Sequence, residues 1–388
     1  MKDTLSYYFK EFTSSEKNAG MVLIGCTILS LVIANTGMAD PYLHFWHQKI
    51  GFGLAGIDMH LSIEHWISDG LMTIFFLMVG LEIERELYHG ELHPVRKAIL
   101  PIGGAIGGML MPAALYLLLN GGSATQQGFG IPMGTDIAFA LAVVSMAGRR
   151  VPASIKIILT AIAIIDDLGS VLVIAFFYGT SIQATFLLAA LAIFGLLLLL
   201  NRLKIHTAAI YIALGVVMWF CMMQSGIHPT LAGVMLAFAY PSGDGSHNCP
   251  SNRLQHRLHL PVAYIILPLF TLANTAVPLK PEFVSEMTKP HAMGILAGLS
   301  IGKPLGISLA VLLMLKLKLV TLPERITMTD ILGMGCIAGV GFTMSVFITQ
   351  LAFTQESLIQ SSRMMILLTS CIAGLLGFVI FRLRYHKA

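Results

Sequence analysis

The sequence predicts an all-α polytopic membrane protein: twelve transmembrane helices with an inverted repeat, two of them crossed and broken, and one small β-hairpin. Three observations lead there. Of 388 residues, 56% are hydrophobic and 11% are charged, against roughly 25% charged in an ordinary soluble domain, so the composition excludes that class. Apolar runs of about 20 residues, each long enough to cross about 30 Å of hydrocarbon, recur along the whole chain. The basic residues gather in alternate connections between those runs.

Taken in order, the predicted spans are 17–35, 66–84, 98–119, 125–147, 153–178, 184–201, 207–222, 227–240, 260–277, 292–314, 330–353 and 360–381. The segment before the first span, "MKDTLSYYFKEFTSSEK", mixes Asp3, Glu11 and Glu16 with its lysines and lacks a small-residue cleavage site, which argues against a removable signal peptide. Its Leu5, Tyr8, Phe9 and Phe12 recur at helical spacing and predict an interfacial helix over 4–16. Between the first two spans, within 45–61, "KIGFGLAGIDMHL" alternates either side of Ala55–Gly56, as a β-hairpin does. An exposed hairpin edge invites pairing with a second copy; the plainer reading is an unpaired loop.

Nineteen of the 24 Lys and Arg residues, among them Lys2, Arg85, Arg149, Arg150, Arg202, Arg253, Arg325, Arg384 and Lys387, fall on the side shared by both termini. Lys49, Lys280 and Lys289 fall clearly on the other. The positive-inside rule therefore makes the termini cytoplasmic, and adding or losing one span would reverse every later loop. A net charge of +4 needs no nucleic-acid partner. Cys26, Cys221, Cys249, Cys336 and Cys371 lack the paired spacing of a disulfide framework or zinc site.

Some charges are left over. Arg363, at the start of the last span, is expected to snorkel to the interface. Asp136, the pair Asp166–Asp167 in "LTAIAIIDDLGSVLVIAFF", and Lys303 in "LSIGKPLGISLA" lie mid-span, where an ion costs several kcal/mol. A structural salt bridge would account for Lys303 and one acid. It leaves two acids to be met by protons or a bound cation.

The backbone is unusual nearby. Pro132 and Gly134 interrupt the fourth span, and Gly335, Gly339 and Gly341 lie in the eleventh. An unwound segment at membrane depth survives only where protein buries it or water reaches it. A glycine-lined helix contact also fits the eleventh span. It does not explain Thr135–Asp136, which reads as an N-cap for a half-helix starting near Ile137. Spans three to five overlay spans ten to twelve with the interruptions in register, and a separation of seven spans makes the two copies inverted. "GTDIAFAL" against "GFTMSVFI" shows how thin the residue similarity is. The consequence is a site where two half-helices cross, flanked by the spans that hold Asp166, Asp167 and Lys303. The whole chain, 1–388, thus reads as one transmembrane unit with 98–178 and 292–381 as its inverted-repeat core and 17–84 and 207–277 as the helices on the interface side.

The motifs "FFLMVGLEIERELYHGEL", "IPMGTDIAFALAVVS", "AIAIIDDLGSVLVIAFFY", "SGIHPTLAGV", "LPLFTLANTAV", "IGKPLGISL" and "GVGFTMSVFI" occur in this order over almost the whole chain. Together they resemble the bacterial NhaA-type sodium/proton antiporters, an established example of inverted-topology repeats. The resemblance implies a twelve-helix inner-membrane antiporter, not an enzyme, that needs no cofactor and exports Na+ or Li+ for more than one proton, as a pH-regulated dimer. The hairpin at 45–61 would then be periplasmic and pair the two copies. By the same resemblance Asp167 and Asp166 carry the cation and protons, Thr135 and Asp136 belong to the helix break, and Lys303 faces the break and pairs with the acids.

Physical chemistry suits these residues to that task. A carboxylate holds either sodium or a proton, so competition for one site suffices for exchange. Neighbours on a helix point about 100° apart, so Asp167 can serve as main sodium ligand while Asp166 is the proton-linked partner of Lys303, their protonation being coupled. Asp136 would offset the positive N-terminal ends of half-helices and Lys303 the negative C-terminal ends. Lys303 as a proton carrier itself fits the sequence equally.

For pH response, Glu82 resembles an acidic residue of the family's responsive region and also reads as a solvated helix-end charge. His256 and His259, in "RLQHRLH", fall in that region, where Gln255 stands in place of the family's glutamate. His228, ahead of Pro229 at a first helical position, reads either as pH-responsive or as a structural end residue. Three other functions fit less well. A sodium-coupled symporter would need a roomy polar cavity. An intramembrane aspartyl protease needs its acids on separate helices, and an aspartate-rich magnesium site needs a second such segment.

Overall fold

The computed structural model of the protein describes residues 2–51, 53–54, 57–58, 60–88, 90, 95–148, 150–179, 182–242, 249–279, 283–323 and 326–386, with the backbone alone for 2–17, 53–54, 57–58, 95–97, 283–284 and 386. The side chains of Leu5, Tyr8, Phe9 and Phe12, the turn Ala55–Gly56, and Arg149, Lys280, Arg325 and Lys387 lie outside those descriptions. Among the described residues, eight helices are long and apolar enough to cross a bilayer: Ile63–Tyr88, Ala98–Asn120, Ala153–Phe177, Ala184–Arg202, Ala208–Ser225, Pro250–Asn274, Pro290–Lys316 and Glu356–Tyr385. Three more pairs are bent at a short break: Asn18–Ala34 with Ala39–His47 (114°), Gln126–Met133 with Ile137–Ala147 (42°), and Met328–Ala338 with Phe342–Ala352 (50°). With each bent pair counted as one span, the number reaches eleven.

The differences from the sequence reading have local causes. In 227–240 only Leu231–Ala239 is α-helical, nine residues or roughly 14 Å. The preceding helix closes on Gly226 at φ 81°, a left-handed conformation that glycine adopts without strain. Tight turns follow, with Leu231 N–H donating to His228 C=O at 3.2 Å and Ala232 N–H to Pro229 C=O at 3.0 Å. Pro229 therefore sits in a turn rather than at the first helical position. Residues 4–16 are not a separate interfacial helix, since the first helix runs unbroken over Lys2–Ala34. Arg363 lies within the helix Glu356–His386 and is only 4% exposed, so it does not snorkel.

The chain divides into two compact units. One comprises Met1–Leu29, Pro94–Ser170 and Leu279–Ala388. Its core is built from the apolar faces of the helices that follow and includes Leu141, Val144, Ile162, Ile307, Met334 and Phe381. The helices Val95–Asn120 and Lys303–Lys316 meet through Gly107 and Gly306, where an added Cβ on either would collide with the other's carbonyl oxygen. Small residues let the two backbones touch, which brings Lys303 to within van der Waals distance of the Gly108 position. A π-helical turn, Gly298–Gly302, immediately precedes Lys303. Pro304 has no N–H to return to the Ser300 carbonyl, so regular i to i−4 bonding fails at this point.

At the far end of the half-helix Met328–Ala338, Asp330 completes a capping box with Thr327, whose N–H donates to Asp330 Oδ2 at 2.8 Å. Asp330 Oδ1 meets Arg384 Nε at 2.7 Å and accepts the Tyr385 hydroxyl at 2.8 Å. The end of the last helix is thereby clasped to the start of the broken one.

The other unit comprises Ser30–His93 and Val171–Pro278. Its core includes Leu77, Leu81, Tyr211, Met218, Leu236 and Tyr240. The strand pairs Lys49↔Ser62, Ile50↔Leu61, Gly53↔Asp58 and Leu54↔Ile57 are antiparallel. All four keep one register. The first paired residue is Lys49, because Ala39–His47 is helical.

Candidate functional site

The two breaks meet. In the fourth span a 3₁₀ segment, Gln126–Met133, gives way at Gly134 to extended backbone that leads through Asp136 into Ile137–Ala147. A Cβ on Gly134 would come within 2.8 Å of the Met344 Cβ, so glycine is what lets the other broken helix approach. In the eleventh span Gly339, Val340 and Gly341 separate Met328–Ala338 from Phe342–Ala352. The polar backbone exposed by one break is satisfied by the other. Asp136 N–H donates to Val340 C=O at 2.8 Å, and Ser345 Oγ donates to Ile131 C=O at 2.7 Å.

Asp136 caps both helices that leave this junction. Its Oδ1 accepts from Phe139 N–H at 3.0 Å, at the start of Ile137–Ala147. Its Oδ2 accepts from Thr343 N–H at 3.2 Å and from the Thr343 hydroxyl at 2.5 Å, at the start of Phe342–Ala352. One buried carboxylate thus faces two positive helix ends.

The second charged group is carried by the unbroken helix Ala153–Phe177. Asp166 lies about 20 Å from its start and about 16 Å from its end at about 1.5 Å per residue. Asp166 and Lys303 are each 0% exposed and Asp167 is 1% exposed. Lys303 Nζ donates to Asp166 Oδ2 and, at 2.8 Å, to Thr135 Oγ1. The single Thr135 hydroxyl proton lies within reach of Asp166 Oδ2 at 2.8 Å and of Ala338 C=O at 3.0 Å. Lys303 therefore reaches the C-terminal end of the half-helix Met328–Ala338 through Thr135 rather than by a bond of its own. Asp166 Oδ1 has no hydrogen-bond partner among the described residues.

Burying each of these ions costs several kcal/mol, and the Asp166–Lys303 pair returns part of that through direct bonding. One ammonium cannot balance three carboxylates. Such an excess of carboxylates can be met by protons or by a hard cation that prefers oxygen ligands. Thr135, Asp136, Asp166, Asp167 and Lys303 all belong to the first unit, and the bonds just described join the two breaks, Asp166 and Lys303 into one network.

The residues singled out for pH response lie in the second unit. Glu82 is buried, 8% exposed, with Arg85 at 3.9 Å, so it is not a solvated helix-end charge. The helix Pro250–Pro261, which carries a buried Gln255, a half-buried His259 and an exposed His256, packs against the helix Met72–Tyr88 that carries Glu82. His228 lies elsewhere in that unit, its Nε2 3.4 Å from Asp69 Oδ1 and its Nδ1 2.8 Å from Thr230 Oγ1. Sequence reasoning passed over Asp69. The available signal was an acid inside the apolar second span, beside Gly70, where a π-helical turn Trp66–Leu71 now appears.

The family model described as "Na+/H+ antiporter 1" matches residues 10–381. The Na(+)/H(+) antiporter NhaA of Flavobacterium psychrophilum is 52% identical over 377 residues, covering 97% of this chain and 96% of that protein. Its counterpart in Dechloromonas aromatica is 51% identical over 386 residues, covering 98% and 97%. The NhaA 1 protein of Clostridium beijerinckii is 40% identical over 391 residues, covering 100% and 98%. The motifs that suggest the NhaA-type antiporters are therefore part of a chain-length similarity, and the protein belongs to the Na+/H+ antiporter 1 family, a family of integral membrane transporters and not of enzymes.

Proposed function

We propose that the protein is a bacterial inner-membrane antiporter that exports Na+ or Li+ in exchange for more than one proton, with cation and protons competing for Asp166 and Asp167. The observation that carries the reading is the fully buried Asp166–Lys303–Thr135 cluster at the meeting of two helix breaks, with two further buried carboxylates, Asp136 and Asp167, in the same unit for its one ammonium. The family membership and the names of the relatives support Na+ and H+ as the exchanged ions.

In this reading Asp167 is the main cation ligand. Asp166 is the proton-linked partner: when a cation or a proton arrives, the Lys303–Asp166 pair rearranges, and Thr135 passes the change to the end of the half-helix at Ala338. Asp136 holds the two opposing half-helices together through the cycle, so that access can alternate between the two sides around a fixed crossing. Exchange of more than one proton per cation makes transport electrogenic.

The remaining features fit the same scheme. Twelve spans in an inverted repeat, with 98–178 and 292–381 as the exchanging core and 17–84 and 207–277 on the dimer side, would bring both termini to the cytoplasm, consistent with the basic-residue asymmetry. The hairpin at 45–61 would lie in the periplasm and pair edge to edge with a second copy in a lipid-embedded homodimer. Glu82, His228, His256 and His259 would tune activity to pH; the packing of two helices around Glu82 and His259 and the approach of His228 to Asp69 support that assignment.

The test is a pH-gradient assay in inside-out vesicles, adding Na+, Li+ or K+ at several pH values. Na+ and Li+ should collapse an imposed gradient, and Asp167→Asn should abolish the response while the protein still inserts. A gradient that survives every cation would sink the proposal, and normal exchange by Asp167→Asn would refute the site.

A further inference from the structure

We infer that Ser170 is a ligand of the transported cation and sets its preference between Na+ and Li+. The inference rests on the reading of Asp166 and Asp167 as the exchange site. On the helix Ala153–Phe177, Ser170 follows Asp166 by four residues and Asp167 by three, and such positions are neighbours on one helix face, with Cβ atoms about 5–6 Å apart.

Ser170 is 2% exposed, and its hydroxyl has no hydrogen-bond partner among the described residues. A hydroxyl inside an apolar helix ordinarily donates to the carbonyl four residues earlier. Thr27, Thr275 and Thr349 of this protein do so, each at 2.8 Å, to Leu23, Thr271 and Ser345. Ser170 forgoes that bond. A buried polar group left unsatisfied is costly, a cost that has a use where a passing ligand takes up the group.

The neighbouring turn points to which ligand. Asp166 Oδ2 is engaged by Lys303 and Thr135, whereas its Oδ1 is buried and, like Ser170 Oγ, has no partner among the described residues. One helix face therefore offers a carboxylate oxygen and a hydroxyl oxygen, both with lone pairs to give, beside Asp167. A carboxylate oxygen and a hydroxyl oxygen on one helix face, the hydroxyl able to turn its proton away and present a lone pair, suit a small hard cation. A hydroxyl oxygen is a weaker ligand than a carboxylate and holds its position on a rigid helix, so it contributes more to size discrimination than to gross affinity.

The experiment uses the full-length protein reconstituted in proteoliposomes, with KM and maximal rate measured for Na+ and Li+ in the wild type, Ser170→Ala, Ser170→Thr and Asp167→Asn. Ser170→Ala should raise KM for at least one ion about three- to tenfold, as expected for one lost ligand, and shift the Na+/Li+ preference while the maximal rate holds. Ser170→Thr, which keeps the hydroxyl, should restore both. KM values for both ions within about twofold of wild type, or a lower maximal rate at unchanged KM, would overturn the inference. If that happens while Asp167→Asn is inactive, only the role of Ser170 falls; if Asp167→Asn still exchanges, the site itself falls and Ser170 with it. Should Ser170→Ala fail to insert, Ser170→Cys, which presents soft sulfur to a hard cation, is judged by the same outcomes.

Discussion

Replacing Asp136 tests whether one carboxylate holds the crossing of the two broken helices. It accepts from Phe139 N–H, Thr343 N–H and the Thr343 hydroxyl at 3.0, 3.2 and 2.5 Å, so it caps two half-helices at once. Losing a helix cap costs about 0.5–2 kcal/mol, and removal of both at a buried site sums to about 1–4 kcal/mol for Asp136→Ala. Asparagine is as good a cap as aspartate at one helix end. Its amide nitrogen, however, must face a donor at the other end, so Asp136→Asn should fall between alanine and wild type. Thermal unfolding of the purified full-length chain in detergent reads this order directly. Equal midpoints for Asp136→Ala and wild type, or an asparagine variant as unstable as alanine, would refute the double-cap argument.

Further outcomes follow from other parts of the network. Gly306→Ala drives a methyl group into the Gly107 carbonyl and should cost about 1–3 kcal/mol. Gly195→Ala, with nothing within 4 Å of the new Cβ, should be neutral or stabilise by about 0.5–1 kcal/mol; detergent melting curves compare the two. Tyr385→Phe removes one bond to Asp330 and should cost about 0.5–1.5 kcal/mol, while Asp330→Ala removes the cap as well and should melt earlier than Tyr385→Phe. Lowering pH should raise the KM for Na+, by at most about tenfold per unit for each competing proton, which initial rates of exchange over a pH series would reveal. A KM for Na+ that falls on acidification would have the wrong sign for competition.

Much of the site was legible because burial in an apolar run makes a charge conspicuous. Asp136, Asp166, Asp167 and Lys303 stand out against their neighbours, and Pro132, Gly134 and Gly339 mark where helical bonding fails. The cap at Asp136 could be read from the residue type one position before a helical run. What the sequence could not supply was pairing across long separations. That Thr343 shares Asp136, that Thr135 relays Lys303 to Ala338, and that Tyr385 and Arg384 clasp Asp330 depend on packing that no local pattern encodes.

The misreadings have the same origin. An apolar run at 227–240 reads as one continuous helix, but turns at Gly226 and Thr230 leave nine helical residues. The π-helical turns at Trp66–Leu71 and Gly298–Gly302 leave no signature in hydrophobic periodicity, although Pro304 accounts for the second. Arg363, placed at an interface by its position in the sequence, is buried among the packed helices roughly one to two turns inside the helix that begins at Glu356.

In the proposed mechanism, cation and proton compete for the same buried carboxyls. Adding Na+ to purified protein in a weakly buffered solution, with released protons counted by pH electrode or by calorimetry in buffers of different ionisation enthalpy, tests it most directly. Proton release should saturate with Na+ binding and disappear in Asp167→Asn. Saturable Na+ binding with no proton released at any pH would contradict it.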